Sequence, residues 1–297
     1  MKILLTGVTG QLGWELQRTL MTIGEVIPVG RNETLQLDLA QIDTIRQIIR
    51  EVKPDLIVNP AAYTAVDKAE SEPELAMAIN GIAPGVVAEE AKKIGAAVIH
   101  YSTDYVFDGN QQTAYTEQDQ PDPQNIYGKT KLAGEQAIAS VGVPHLILRT
   151  SWVYGSRGKN FLLTMLRLAQ EREEIRVVDD QIGAPTWSRM IAEVTAQILS
   201  QAPDHVSDFL TSKGGLYHLT ASGQTSWYGF AKTIFALDVK QNERKLQRLI
   251  AITTKEYPTP ASRPAYSLLN NQKLSHNFGL ILPDWQRSLE LVLATNK

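Results

Sequence analysis

The chain has 297 residues, of which 43% are hydrophobic and 21% charged, with a net charge of −3 and no cysteine. This length suffices for one large α/β domain, or for one such domain with a smaller one attached. Without cysteine there can be no disulfide framework, thiolate nucleophile or cysteine-based zinc site. The charge balance gives no reason to bind nucleic acid, and no apolar run approaches the roughly 20 residues of a membrane helix. We therefore expect a cytoplasmic protein that contacts neither nucleic acid nor membrane.

Strand and helix patterns alternate regularly through the first half of the chain. Apolar, β-branched segments predict five strands, at 2–6, 25–29, 55–59, 96–102 and 145–150, and helical periodicity fills the stretches between them. Parallel strands must be joined by crossovers, so this order predicts a Rossmann-type, doubly wound parallel sheet with helices on both faces. In such sheets ligands lie beyond the carboxyl ends of the strands, which makes residues after each strand the first functional candidates.

After about residue 150 the pattern becomes less regular. It predicts helices at 160–171, 187–201 and 226–236, and strands at 175–178, 216–219 and 247–252. Two polar loops, at 181–186 and 255–264, are candidates for substrate contact. We expect an NAD(P)-binding domain at 1–150, to which parts of 151–225 return, and a smaller substrate-binding lobe formed mainly by 151–297.

Three glycines follow the first predicted strand in the segment TGVTGQLG. Gly7, Gly10 and Gly13 have the spacing GxxGxxG and lie at the mouth of the first predicted helix. Tight turns between strand and helix use glycine even without a ligand. Here the flanking strand and helix favour a phosphate site, because the helix start presents unpaired N–H groups to a pyrophosphate. A dinucleotide is the predicted ligand.

The end of the second predicted strand bears on the choice of dinucleotide. An acid at this point would accept hydrogen bonds from the adenosine ribose, but the chain has Gly30 and Arg31 there. An arginine can pair with a 2′-phosphate, so we predict NADPH, with NADH as the alternative if Arg31 is merely solvated. Asp38 and Leu39 are candidate adenine contacts, although Asp38 could instead be a helix N-cap.

Hydroxyl and carboxyl side chains end the fourth predicted strand, in HYSTDYVFDG, and the helix that follows carries a Tyr–Lys pair four residues apart. A ketone that accepts a hydride also needs a proton, which a phenol can supply if an ammonium lowers its pKa of ~10. Tyr127 is the predicted proton donor and Lys131 the group that lowers its pKa. Either Ser102 or Thr103 lies at the strand end, and Thr103 would bind the carbonyl oxygen. Asp104 could be a general acid or a loop-forming aspartate.

A tyrosine and a lysine one turn apart are common on amphipathic helices, so this pair alone supports little. Its support comes from the hydroxyl at the fourth strand end and from the glycine turn after the first strand. The five histidines do not have the spacing of metal ligands, and we expect no catalytic role for them. They are His100, His145, His205, His218 and His276.

Several segments together resemble the dTDP-4-dehydrorhamnose reductase family, of the extended short-chain dehydrogenase/reductase superfamily. They are TGVTGQLGWEL, NPAAYTAVDKAESEPELAMAIN, HYSTDYVFDG, NIYGKTKLAGE, RTSWVYG, DDQIGAPT and YPTPASRP, and they cover nearly the whole chain. The resemblance implies NAD(P)H-dependent reduction of the 4-keto group of dTDP-4-dehydro-6-deoxy-L-mannose to dTDP-L-rhamnose. The expected partner is thus a small nucleotide sugar.

The resemblance also implies roles for individual residues. Thr103, Tyr127 and Lys131 would form the catalytic triad, with Lys131 also binding the cofactor ribose. The remaining implied contacts are Gly10, Gln11 and Leu12 along the pyrophosphate, Ala62, Tyr63, Thr64 and Tyr101 beside the cofactor, Asp104 at the sugar, Trp152 at the substrate and Arg263 at the nucleotide diphosphate.

One departure from this family concerns a metal. Some members bind Mg²⁺ at a dimer interface through three glutamates, of which this chain retains Glu15, whereas Arg189 and Thr295 occupy the other two positions. An arginine cannot bind a cation, and a single carboxylate is a poor Mg²⁺ site. We therefore expect no metal and predict that Glu15 pairs with Arg189, within the chain or across a dimer. A homodimer is an assembly that the resemblance allows.

Two other functions are compatible with the same segments. The chain could be a reductase or epimerase for another nucleotide-4-keto-6-deoxysugar, because few pocket residues select the base and the sugar stereochemistry. It could also be a non-catalytic subunit, since the regulatory β subunit of methionine adenosyltransferase resembles this family too. The presence of all three proposed catalytic side chains, together with Trp152, favours an enzyme.

Overall fold

A seven-stranded parallel sheet forms the centre of the protein, whose computed structural model describes residues 1–202, 204–239 and 241–294. The strands in this part of the chain are β1 (Lys2–Leu5), β2 (Glu25–Gly30), β3 (Leu35–Gln36), β4 (Leu56–Asn59), β5 (Ala97–Thr103), β6 (His145–Thr150), β7 (Val153–Tyr154), β8 (Glu174–Val178), β9 (Ile182–Gly183), β10 (Thr186–Trp187), β11 (Gly215–His218), β12 (Thr225–Ser226) and β13 (Arg248–Ile252). The central order is β11-β6-β5-β4-β1-β2-β3, with every neighbouring pair parallel. The predicted doubly wound sheet is confirmed.

Helices connect and cover these strands. They are α1 (Gln11–Leu20), α2 (Ile42–Val52), α3 (Val66–Ala69), α4 (Pro73–Met77), α5 (Ala83–Ile94), α6 (Ile126–Val141), α7 (Phe161–Glu171), α8 (Ser188–Leu199), α9 (Val206–Lys213), α10 (Trp227–Leu237), α11 (Gln272–Phe278) and α12 (Trp285–Ala294). A π-helical turn, Ala78–Ile82, joins α4 to α5, so the single helix predicted here contains a local irregularity. Among the helices of the described residues, none is long and apolar enough to cross a membrane.

The two faces of the central sheet are buried under different helices. On one face the strands pack against α1, α8, α9 and α11, in an apolar cluster that includes Leu5, Ile99 and Ile191. On the other they pack against α2, α5 and α6, in a cluster that includes Leu4 and Val98. Successive strand residues point to opposite faces, which is why these strands read as continuous apolar runs rather than alternating ones.

The later elements form a smaller packed unit beside the sheet. Strands β8 and β13 pair with each other and pack with α7, α10 and α12 around Tyr154, Phe230 and Trp285. Strand β11 lies at the edge of the central sheet beside β6, and α8 packs on α1. The chain thus passes between the two packed units more than once.

The strand order reverses between β1 and β4, because β2 lies on one side of β1 and β4 on the other. A crevice opens beyond the carboxyl ends of strands at such a switch point, and it is the usual ligand site of open α/β sheets. The loops after β1, β4 and β5 all reach this edge.

A buried ion pair links α6 to β6. Arg149 donates from Nε and Nη2 to the two carboxylate oxygens of Glu135, at 2.9 and 2.6 Å, and both side chains are buried. Replacing one partner leaves the other charge buried without compensation.

We expect Glu135→Gln to lower the free energy of unfolding by about 3 kcal/mol, measured by urea denaturation. The matched control is Glu171→Gln, which removes an exposed pair with Arg167, at 2.8 Å, and should change stability by about 0.5 kcal/mol or less. Equal losses in the two variants would contradict the assigned role of the buried pair.

Candidate active site

The glycine turn after β1 is built by close backbone packing. Gly7 has φ +61°, and a Cβ there would lie 3.0 Å from the Ala61 backbone. A Cβ on Gly13 would lie 2.1 Å from the carbonyl oxygen of Gly7, so only glycine fits. Gly10 is the N-cap of α1 and provides no side-chain cap, which leaves the first helical N–H groups for a ligand. This cradle at the switch point fits a pyrophosphate.

The two residues that follow Gly10 extend this cradle. Gln11 accepts a hydrogen bond at Oε1 from Asn160, at 2.8 Å, which ties α1 to the loop before α7. Leu12 is partly buried and packs against the core cluster. Both are in the first turn of α1, so their backbone N–H groups, rather than their side chains, lie at the expected pyrophosphate position.

Strand β5 and helix α6 bring the predicted reacting residues together. Asn125 caps α6 by accepting from the Gly128 N–H at 2.7 Å, and Tyr127 lies in the first turn. The Thr103 hydroxyl at the end of β5 lies near the Tyr127 phenol and lowers its pKa. Thr103 donates from Oγ1 to Asp104 at 3.0 Å and accepts from the Tyr105 N–H at 3.2 Å. Thr103 and Asp104 thus form a buried hydrogen-bonded pair next to the phenol.

The pKa of the phenol differs from the sequence-based prediction. Burial raises the pKa of Tyr127 to about 12, against the lowering effect of the nearby Thr103 hydroxyl. The prediction that Lys131 lowers this pKa is wrong for the structure, because its ammonium is directed at β5 instead. The phenol consequently stays protonated at neutral pH, which is the form required of a proton donor.

Asp104 is fully buried beside the phenol. Burial raises its pKa to about 6, while the nearby Ser267 and Thr103 hydroxyls lower it, and its Oδ2 atom has no hydrogen bond of normal geometry within the described residues. An unpaired buried oxygen is costly unless a ligand or water satisfies it. Asp104 is thus available to a hydroxyl group of a bound molecule.

Lys131 lies one turn after Tyr127 and is almost completely buried. Its Nζ atom donates to the carbonyl oxygen of Tyr101 at 2.6 Å and lies 3.1 Å from Nε2 of His100. Burial lowers the pKa of Lys131 to about 8, while the nearby charge of Glu135 raises it.

His100 was missed by the sequence analysis, which looked only for metal-ligand spacing. The available signal was its position, two residues before Ser102 on the same predicted strand and hence on the same face of the sheet.

Two predicted contacts have side chains that point away from the crevice. The Tyr101 hydroxyl lies 2.8 Å from Thr195 on α8, so only the backbone of Tyr101 reaches Lys131. Leu39 is buried in the apolar cluster of the other face. Strand and core packing thus direct both side chains inward, so a contact of either residue with the cofactor would have to come from its backbone atoms.

The end of β2 is more open. Arg31 is exposed and makes no hydrogen bond or ion pair with the rest of the described chain. Asp38 accepts from the Ala40 N–H at 3.0 Å in a local turn, whereas Gln41 is the N-cap of α2, so the N-cap alternative for Asp38 is wrong. An exposed, unpaired Arg31 is compatible both with the predicted 2′-phosphate contact and with the alternative of a solvated side chain.

The loop after β4, which carries Ala62, Tyr63 and Thr64, is fixed by hydrogen bonds to Asn80. The sequence analysis did not identify Asn80. Asn80, in the π-helical turn, accepts from the Tyr63 N–H at 2.8 Å and donates to its carbonyl at 3.0 Å. The Tyr63 hydroxyl donates to Glu72 at 2.7 Å. Asn80 is buried in mid-helix, where a polar side chain needs such partners.

A cavity of about 740 Å³ lies beside the crevice. It is lined by aromatic and charged side chains that include Phe161, Trp227, Tyr257 and Arg263. Trp152, the predicted substrate contact, stacks on Trp227 with ring centroids 3.6 Å apart and so supports the cavity wall from behind. Trp227 was not singled out from the sequence, because its stacking partner lies 75 residues away.

Arg263 reaches the cavity but is already paired. Its Nη1 and Nη2 atoms donate to the two oxygens of Asp67, at 2.9 and 2.8 Å, and Nη1 also donates to Thr259. The Arg263 hydrogen bond is the main cause of the lowered pKa of Asp67. This pair joins α3 to the C-terminal part of the chain at the cavity.

Comparison with known proteins identifies the family. The family described as the RmlD substrate binding domain matches residues 1–297. The chain belongs to this family. It is 49% identical over 295 residues to a dTDP-4-dehydrorhamnose reductase of Burkholderia thailandensis, with 98% of this chain and 97% of the relative covered.

Solved structures agree with this membership. A dTDP-4-dehydrorhamnose reductase of Clostridium acetobutylicum has a TM-score of 0.90 and 38% identity, with 100% of this chain and 99% of that chain covered. The reductase of Bacillus anthracis, solved in complex with NADP, has a TM-score of 0.88 and 38% identity, with 99% and 100% covered.

The metal position of some RmlD-family members contains an ion pair in this chain. Arg189 donates from Nε to Glu15 at 3.3 Å within the chain, which confirms the predicted pairing, and Arg18 lies 3.5 Å from the same carboxylate. Thr295 lies outside the described residues. The side chains present here do not fit Mg²⁺, because a guanidinium occupies the position of a ligand.

We expect EDTA to leave the reductase rate of this RmlD-family protein unchanged, because Arg189 already neutralises Glu15. The measurement is NADPH oxidation before and after chelation and dialysis, followed by addition of Mg²⁺. A rate that collapses with EDTA and returns with Mg²⁺ would contradict the assignment.

Proposed function

We propose that this chain reduces the 4-keto group of dTDP-4-dehydro-6-deoxy-L-mannose with NADPH and releases dTDP-L-rhamnose. The observation that carries the proposal is that Thr103, Tyr127 and Lys131 lie together at the crevice that also contains the glycine turn. Relatives at up to 49% identity that are dTDP-4-dehydrorhamnose reductases support the same activity. The enzyme is therefore an oxidoreductase that acts on a nucleotide sugar.

The protein groups would act on the carbonyl oxygen. NADPH, when bound, supplies the hydride that reduces the carbonyl carbon. The C=O π bond breaks, negative charge develops on oxygen, and the Tyr127 hydroxyl transfers its proton there to form the alcohol. Thr103 would stabilise the developing charge on the oxygen by hydrogen bonding, and the Lys131 ammonium, which is directed at β5, would bind the cofactor ribose. The hydride and the proton together balance the two-electron reduction.

The cofactor would lie along the switch-point crevice. Backbone N–H groups of the segment from Gly7 to Gly13 would bind the pyrophosphate, and Lys131 the ribose next to the nicotinamide. The Ala62–Tyr63–Thr64 loop would border the same crevice, and Arg31 would pair with the 2′-phosphate that distinguishes NADPH from NADH. The structure of the Bacillus anthracis relative with NADP supports this choice.

The nucleotide sugar would occupy the neighbouring cavity, formed mainly by the C-terminal lobe of residues 151–297. Asp104 has a free oxygen for a sugar hydroxyl, and Trp152 with Trp227 provides an apolar wall. Arg263 would bind the diphosphate of the nucleotide sugar while it also remains paired with Asp67. Cytoplasmic location and a homodimer remain predictions.

Removing the proposed proton donor should disable the chemistry without disabling binding. We expect Tyr127→Phe to lower kcat by about 100-fold or more, with the dissociation constant for NADPH within threefold of the native value. The assay is NADPH oxidation on enzymatically generated dTDP-4-dehydro-6-deoxy-L-mannose, with cofactor binding followed by fluorescence.

Tyr154→Phe is the matched control, since Tyr154 is also buried but lies in the other packed unit and its hydroxyl has no described partner. It should retain the native rate. Full activity in Tyr127→Phe would remove Tyr127 from the mechanism.

The cofactor preference should depend on Arg31. We expect Arg31→Ala to lower kcat/KM for NADPH by about tenfold, the equivalent of one charge-assisted hydrogen bond, and to leave kcat/KM for NADH unchanged. Arg287→Ala, which removes an exposed arginine paired with Glu290 on α12, is the control. Equal efficiency with the two cofactors in the native chain would exclude a role for Arg31 in selection.

A further inference from the structure

A series of buried polar side chains crosses the ends of three adjacent strands next to Lys131. Nδ1 of His100 on β5 lies 3.3 Å from Nδ2 of Asn59 on β4, and Asn59 Oδ1 lies 2.6 Å from the hydroxyl of Thr6, which follows β1. All of these side chains are almost completely buried. The series therefore connects the lysine to the residue directly before the glycine turn.

Lys131 needs acceptors because its ammonium is buried. It has three N–H donors, and the described acceptors are the carbonyl of Tyr101 and Nε2 of His100. The nearest carboxylate on its own helix, Glu135, accepts from Arg149 through both oxygens. His100 thus provides the side-chain acceptor, and the third N–H stays available for a ribose hydroxyl.

A neutral imidazole suits this position better than a charged one. Burial and the Lys131 charge hold the pKa of His100 well below its usual value of 6.5. An ammonium can only donate, so it fixes the ring proton on Nδ1 and leaves Nε2 as the acceptor. A half-turn of the Asn59 amide then presents its oxygen to Nδ1–H and its NH₂ to the Thr6 oxygen.

We propose that His100 is a positioning residue for the reduction, whose neutral ring accepts the Lys131 ammonium at Nε2 and fixes Nζ between β5 and the nicotinamide side of the crevice. The proposal rests on the proposed function for the role of Lys131. In this proposal the Asn59 and Thr6 side chains hold the imidazole ring in place. Lys131 is thereby connected through hydrogen bonds to the ends of β1 and β4.

Two amide variants of different reach test the proposal. In His100→Gln the amide can place its oxygen near the former Nε2 position, whereas the shorter side chain of His100→Asn ends near Nδ1 and cannot reach Lys131. We expect the Gln variant to keep kcat within about threefold of native and the Asn variant to lose about tenfold or more. Equal rates in the two variants, whether high or low, would overturn the proposal.

The pH profile separates positioning from mere packing. Lys131 acts as its protonated form, and with a pKa of about 8 the native kcat/KM should decline above that pH. Losing an acceptor destabilises the charged form, so this alkaline limb should move to lower pH in His100→Asn and not in His100→Gln. The other titratable side chains on α6 near Lys131, Glu135 and Tyr127, are the same in both variants. An unshifted limb in His100→Asn would assign His100 a packing role only.

A measurement on the native chain keeps the proposal testable if a variant does not fold. The ¹⁵N chemical shifts of the His100 ring distinguish the two neutral tautomers and the imidazolium. We expect a proton on Nδ1 alone between pH 6 and 7, conditions under which Lys131 is charged; a proton on Nε2 would overturn the proposal. Since this readout needs no turnover, it also separates failure of the His100 assignment from failure of the proposed reductase activity.

Discussion

The chemistry proposed for this chain depends on a buried ammonium group, that of Lys131, next to the central sheet. This group is held in place because the end of β5 provides a backbone carbonyl and a neutral ring within 3.1 Å. Burial alone makes the charged form less favourable, and each acceptor recovers part of that cost. The fixed ammonium in turn sets where a cofactor ribose and a phenol can meet.

Much of the fold could be predicted because it depends on local patterns. The five early strands, the glycine turn and the helix that carries Tyr127 and Lys131 each have a signal contained within a few residues. Helices α3, α9, α11 and α12 were missed, and the two-residue strands could not have been found, because such strands exist only through their partners in space. Packing of the Tyr101 and Leu39 side chains is likewise a property of the assembled core.

The residues of the candidate site could be predicted from the sequence more completely than their pKa values and ion pairs. The sequence brings a tyrosine and a lysine to one helix face, but burial, which raises the pKa of Tyr127 to about 12, is a tertiary effect. The Arg263–Asp67 pair joins positions almost 200 residues apart, and nothing in either segment specifies the other. Asn80 and His100 were overlooked for the same reason, since each has meaning only through the group that it binds.

The stacked tryptophans beside the cavity have a consequence for recognition. Trp152 adopts φ +46°, a left-handed conformation that bulky residues rarely take, and its ring lies between Trp227 and Gly183, where a Cβ would approach within 2.6 Å. Backbone strain of this kind persists only where the surroundings over-determine it. In the proposed function this wall would be packed before the sugar binds, so that binding would not have to order it. Selectivity at this wall would then come from shape fixed during folding, and a ligand that needs a different shape would be rejected rather than accommodated.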